Sequence, residues 1–183
     1  MKELYISVDV ETSGPIPGTY NLLSIGAKVI GTPQSFYVEL KPLNDNYIQQ
    51  ALDVSGFSIE KLKETGTSSK EAMEMFDIWI GDVCATVYRP VFVAFNATFD
   101  WSFVNYYFHY FLGRNPFGIS GIDIKAYYMG MKKCSWGKTI KRKFEKKYLS
   151  NKKHTHNAKD DAIEQAEIFE KLLKEQEEQG DEY

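Results

Sequence analysis

Leu4-Tyr5-Ile6-Ser7-Val8-Asp9-Val10-Glu11 decides the fold. Leu4, Ile6, Val8 and Val10 alternate with Tyr5, Ser7 and Asp9, the period-2 pattern of a strand with one face in the core. The strand ends on two acids and then meets Gly14-Pro15-Ile16-Pro17-Gly18, which forces a turn. Asn21 to Ile30 and Gln34 to Leu40 read as two further strands separated by Gly31-Thr32-Pro33, and connections this short suit antiparallel pairing. Beyond Pro42 the pattern changes. Ala72, Met75, Phe76, Trp79, Ile80 and Val83 recur at helical spacing in Ser69 to Cys84, with Ser68 or Ser69 as the cap. Arg89 to Phe95 reads as a buried strand, Phe99 to Leu112 as an aromatic helix, and a further strand is expected near Gly118 to Ile124. Trp136 to Tyr148 reads as a basic amphipathic helix, and Ala158 to Glu175 as a clear helix. A meander followed by alternating helices and strands predicts an α/β domain, a mixed five-stranded sheet flanked by helices.

The chain has 183 residues, enough for one domain with a substantial core. That domain is expected to span residues 1–174, with a charged tail over 175–183. The net charge of −3 argues against a nucleic-acid binder only until it is resolved along the chain. Lys132 to Lys153 contains ten Lys or Arg and one acid, Glu145, a local balance of +9, while the remainder carries −12. No stretch approaches the about 18 apolar residues of a membrane helix, and the amino terminus, with Glu3 and Asp9, is not a signal peptide. Two cysteines, Cys84 and Cys134, make neither a disulfide framework nor a zinc cluster, so a cytoplasmic protein is expected.

Acids in apolar surroundings carry the functional signal. Asp9 and Glu11 are two residues apart on a strand, which puts them on one face, roughly 7 Å apart. Asp100 belongs to a helical row with Val104, Tyr107 and Phe111, where an acid is costly unless paired, capping or ligating. Its place in the first turn also suits the helix dipole, so both readings stand. In the last helix Ala158, Asp161, Gln165, Ile168 and Leu172 form one row, which turns Asp161 inward, while Asp160, Glu164, Glu167 and Lys171 form a polar row. Ala162 and Ala166 would let this helix approach the sheet closely. His156 cannot share the face of Asp161 on a continuous helix and is free to project from the preceding segment. Carboxylates at strand and helix ends are hard oxygen ligands, suited to two divalent ions in a phosphoryl displacement. A histidine is the natural base for the attacking water.

Three stretches together resemble the exonuclease motifs of the DEDDh 3′–5′ exonucleases, the family of polymerase proofreading subunits and RNase T. They are Asp9-Val-Glu11-Thr-Ser-Gly14, Phe95-Asn96-Ala97-Thr98-Phe99-Asp100 and His156-Asn157-Ala158-Lys159-Asp160-Asp161-Ala162, in the family's order. The resemblance runs from about Leu4 to Leu173. It implies a ribonuclease H-like fold and ligation of two Mg²⁺ or Mn²⁺ ions by Asp9, Glu11, Asp100 and Asp161. It further implies that His156 is the general base in releasing nucleoside 5′-monophosphates from the 3′ end of single-stranded DNA or RNA. Thr12, Ser13 and Asn96 would lie near the terminal nucleotide; turn formation by Thr12 and Ser13 and helix capping by Asn96 are the structural alternatives. Phe95 stands where the family often has His, a departure that bears on substrate contacts rather than catalysis. Asp45 to Gly66 is divergent and receives no assignment.

In the basic stretch, Ile140, Phe144 and Tyr148 are expected to face the core, and charges such as Lys141 and Arg142 either to guide substrate towards His156 or to form a solvated face. Gly137-Lys138-Thr139 resembles the end of a phosphate-binding loop, but Lys132 occupies the position of its required glycine, which excludes a nucleoside triphosphatase. His154 is the rival to His156, and Asp123 is a candidate cap for the next helix. The competing class is a non-catalytic module of the same fold that binds nucleic acid or a polymerase; it would be marked by a lost ligand, and none is lost. A homodimer or a polymerase-type partner is compatible with the resemblance, with no residue identifying either.

Overall fold

The computed structural model describes residues 1–149 and 157–180. Strands β1 (Lys2–Thr12), β2 (Leu22–Val29) and β3 (Ser35–Glu39) form the expected meander. Helices α1 (Gln49–Ser55), α2 (Ile59–Thr65) and α3 (Ser69–Cys84) follow, then β4 (Tyr88–Ala94), α4 (Ala97–Leu112), β5 (Gly121–Asp123), α5 (Ile124–Lys132) and α6 (Ala158–Gly180). The sheet order is β3-β2-β1-β4-β5. β1 pairs antiparallel with β2 and parallel with β4, and β4 pairs parallel with β5. This is the mixed five-stranded sheet expected from the sequence, with the fifth strand trimmed to three residues. Among the described residues no helix is long and apolar enough to cross a membrane.

Alternation along β1 divides the core in two. Ile6, Val8 and Val10 pack with Phe76 of α3 and Phe103 and Tyr107 of α4. Tyr5 points to the opposite layer, where Val93 meets Ile168, Phe169 and Leu172 of α6 and Tyr128 of α5. The acids on β1 alternate with Val8 and Val10, so they fall on the α6 side. The expected close approach of α6 is realised, with Ala158, Ala162 and Ala166 all buried. Gly26 on β2 makes it possible: a Cβ there would lie 2.1 Å from the carbonyl oxygen of Ala158 and 2.4 Å from the nitrogen of Lys159. Gly26 is the register partner of Asp9.

Two expectations are corrected. The segment from Trp136 to Tyr148 is not one amphipathic helix but two 3₁₀ turns, Trp136–Lys138 and Lys141–Lys143, followed by irregular backbone. Gly137 near its start and like charges four apart, Lys138 with Arg142 and Lys143 with Lys147, disfavour a continuous helix. Its apolar residues still face inward: Phe144 and Tyr148 are buried, and the Phe144 ring stacks on Tyr128 at 3.9 Å. In α6, Glu164 belongs to the expected polar row yet is buried, beneath an ion pair with Lys141. Helix α6 runs on through residues 175–180. Glu175 accepts hydrogen bonds from Lys132 and from the Tyr148 hydroxyl.

Candidate active site

The site lies at the carboxyl ends of β1, β4 and β5, where open sheets bind ligands. The ladder between β1 and β4 ends at Ser7 and Val93, and β1 runs on alone on that side through Glu11 to an irregularity at Glu11/Thr12. The splayed strands leave the Val10 N–H without a ladder partner, and Asp100 Oδ1 accepts from it at 3.0 Å. Asp100 is buried in the first turn of α4. One contact therefore fixes a carboxylate of α4 against the β1 backbone, at the residue between Asp9 and Glu11.

Asp9, Glu11 and Asp161 come together from the opposite face, each offering an oxygen within 4.8 Å of the others. The start of α6 is set by Asn157, whose Oδ1 accepts from the N–H of Lys159 at 3.0 Å and of Asp160 at 3.3 Å. Gln165, one turn after Asp161, is buried and spans the site. Its Nε2 donates to Asp9 Oδ1 at 2.5 Å, and its Oε1 accepts from the Phe95 N–H at 2.7 Å. The sequence reading put Gln165 on the inward row without giving it a role. A polar residue one turn beyond an inward acid is the signal that could have identified it.

Crowding these carboxylates raises their proton affinity. Burial, and then the charges of Asp100, Glu11 and Asp161, push Asp9 well above the usual carboxylate range, against the hydrogen bond from Gln165. Burial and the charge of Asp161 raise Glu11 to about 7. Burial raises Asp100 to about 8, with the charges of Glu11 and Asp123 adding to it and the N–H groups of Val10 and Asp100 opposing. Hard oxygen donors that repel one another at this range are a set that divalent cations would neutralise, so the residues fit such ions.

The other expected residues fall into distinct settings. Thr12 Oγ1 donates to Gly14 O at 2.9 Å, and Ser13 Oγ donates to Asn46 O at 2.7 Å while accepting from the Asn21 N–H at 2.9 Å. Both hydroxyls thus hold the turn. Thr12 also lines an open cavity of 370 Å³ with Glu11, Ile48, Val54 and Phe99. Asn96 occupies the cap position of α4 in the left-handed region at φ 75°, which Asn tolerates better than most residues. Its side chain makes no capping bond. Asp123 does that work: Oδ2 accepts from the Ala97 N–H and Oδ1 from the Ala126 N–H, both at 2.7 Å, so the expected cap serves two helices. Lys141 pairs with Glu164, and Arg142 is exposed. Phe95 packs on Phe144 at 5.4 Å. His154 and His156 lie outside the described residues.

Asp9, Glu11 and Asp161 gather at the carboxyl end of the central strand β1, with Asp100 held against the Val10 N–H, and the comparisons identify the class of the chain. The exonuclease family model RNase T matches residues 6–169. The chain belongs to the exonuclease family and is a 3′–5′ exonuclease of the DEDDh type. It is 48% identical over 169 residues to the 3′–5′ DNA exonuclease Cap18 of Escherichia coli, covering 92% of this chain and 90% of that protein. The fold is shared with the nuclease domain of 3′hExo, a DEDDh family member solved bound to rAMP (TM-score 0.77, 14% identity, 95% of this chain and 93% of that one). It is also shared with E. coli exonuclease I in complex with a dT13 oligonucleotide (TM-score 0.65, 15% identity, 95% of this chain and 41% of that one).

Proposed function

We propose that this enzyme removes nucleotides one at a time from the 3′ end of single-stranded DNA, releasing nucleoside 5′-monophosphates. The observation that carries the reading is the convergence of Asp9, Glu11 and Asp161 within 4.8 Å, with Asp100 fixed beside them by the Val10 N–H. The 48% identity to a named DNA exonuclease supports DNA as the substrate.

Asp9, Glu11, Asp100 and Asp161 would hold two divalent ions, Mg²⁺ or Mn²⁺. Such ions supply charge neutralisation at the attacking and leaving oxygens of the scissile phosphate. Asp9 and Glu11 enter from a strand end, and Asp100 and Asp161 from two helices, so the ligand set needs little reorganisation. Gln165 holds Asp9 in place, itself anchored on the Phe95 N–H just past β4. His156 would take the proton of the attacking water as general base, on the motif it shares with the family. We infer a cytoplasmic location, supported by two free cysteines, Cys84 and Cys134.

End-labelled DNA and RNA of matched sequence, incubated with Mg²⁺ or Mn²⁺ and then with EDTA, test the reading. Metal-dependent shortening of the DNA from its 3′ end into mononucleotides is expected. Cleavage inside the strand, faster loss of RNA, or full activity in EDTA would overturn it.

A further inference from the structure

We propose that Trp136 and Lys125 form a platform that stacks a base and neutralises a phosphate of the single strand upstream of the nucleotide being released. This rests on the exonuclease reading above and extends it beyond the catalytic centre.

The aromatic residues of the basic segment part company. Phe144 and Tyr148 are buried against Tyr128, whereas Trp136 is 51% exposed. Core packing therefore accounts for the first two and leaves about half of Trp136 exposed to solvent. Lys125, in the first turn of α5, sets its Nζ 4.3 Å from the Trp136 ring centroid and 3.4 Å from Asn96 Oδ1. Asn96 starts α4, four residues before Asp100, so a single ammonium joins the indole to the mouth of the catalytic edge. An exposed indole beside a cation combines the two elements that hold single strands without sequence preference, a stacking surface and phosphate neutralisation.

The charges sort in the same way. Lys132 is taken by Glu175 and Glu145, and Lys141 by Glu164. Lys138, Arg142 and Lys143 are exposed, and Lys133 to Phe144 contains no acid. Lys143 Nζ donates to Gly137 O at 2.9 Å, which holds it beside the Trp136 turn. A polyanion continuing outward from the carboxylates would otherwise meet their repulsion. On this side it meets a cationic rim and a ring. The occupant is thus a flexible single strand; a duplex end offers no unpaired base to stack on the indole.

The test uses the whole chain. In EDTA, binding of dT2, dT4, dT8 and dT12 is followed by anisotropy and by tryptophan emission. Wild-type affinity should rise with length, with emission quenched. Trp136→Ala should weaken dT12 binding about 10-fold or more and flatten the gain with length. Trp136→Phe should restore most of the affinity without that quench, and Lys125→Gln should lower the salt slope. With Mn²⁺ present, the loss for dT12 should exceed the loss for the p-nitrophenyl ester of thymidine 5′-monophosphate, which occupies one nucleotide subsite. Equal affinities for wild type and Trp136→Ala, or equal losses on both substrates, would overturn the platform. A wild-type enzyme that hydrolyses neither substrate would instead overturn the exonuclease reading, while the length series in EDTA would still decide the platform.

Discussion

Gln165 is the brace of Asp9: its carboxamide reaches from α6 to the carboxylate at 2.5 Å and to the Phe95 backbone at 2.7 Å. Donor and acceptor are both needed, because one end faces a carboxylate and the other an N–H. Gln165→Leu keeps the volume and deletes both bonds. It should weaken Mn²⁺ binding about 10- to 100-fold by calorimetry, and loss of the partner of the part-buried Phe95 N–H should add a stability loss of about 1 kcal/mol. Unchanged Mn²⁺ affinity in a folded variant would remove the brace from the account.

Asp9→Ala should abolish metal-dependent release of mononucleotides, a loss of about 1,000-fold or more, while the far-ultraviolet circular dichroism stays that of the wild type. The check is turnover against a 3′-labelled oligonucleotide across Mg²⁺ and Mn²⁺ concentrations. Activity within tenfold of wild type would contradict the ligand assignment.

Metal-free stability should fall as pH rises. Glu11 at about 7 and Asp100 at about 8 bind protons more tightly when folded than at their ordinary values of 4.5 and 3.8. The folded state holds more protons than the unfolded state in this window, so ΔG of unfolding decreases with pH. The contribution is complete below about pH 4 and is lost through pH 7 to 8. In EDTA the melting temperature should drop from pH 5 to pH 8.5, and Mn²⁺ should reverse the drop, with protons released on binding. Asp161→Asn removes the charge that helps raise Glu11, so it should lessen the drop. A melting temperature that climbs over this range in EDTA would refute the electrostatic picture.

His156→Ala should lower turnover by about 100-fold or more with little effect on metal affinity, and His154→Ala should spare turnover. Comparable losses in the two variants would reject His156 as the base.

Gly26→Ala should act at a distance. A methyl group there meets the backbone of Ala158 and Lys159, so α6 must move outward and carry Asp161 with it. Loss of Mn²⁺ affinity is expected together with about 1–3 kcal/mol of stability. Crystals of the variant with α6 in its original place would exclude this reading.

Much of this was legible in the residues. Alternation over Leu4 to Val10 placed Asp9 on the face away from Val8, and helical spacing turned Asp161 inward beside Ala162. Those periodicities follow from local geometry. The convergence of the two faces did not, because it depends on long-range contacts such as Gly26 with Ala158. Gln165 stood on the expected row, yet its partners lie 156 and 70 residues away in sequence. The basic segment misled for another reason: Ile140, Phe144 and Tyr148 have helical spacing, but like charges and Gly137 oppose the helix, and packing selects irregular backbone that buries the same rings. The short helices α1 and α2 fall in the segment left unassigned, each only seven residues long.

Asp123 holds the first turns of α4 and α5 with its two oxygens. In hydrogen-exchange terms, the amides of Ala97 and Ala126 share one latch and should open together as one cooperative unit. The helix that presents Asp100 and the helix that presents Lys125 then fray in concert, so the two ends of the strand-binding path would be lost or kept as a pair.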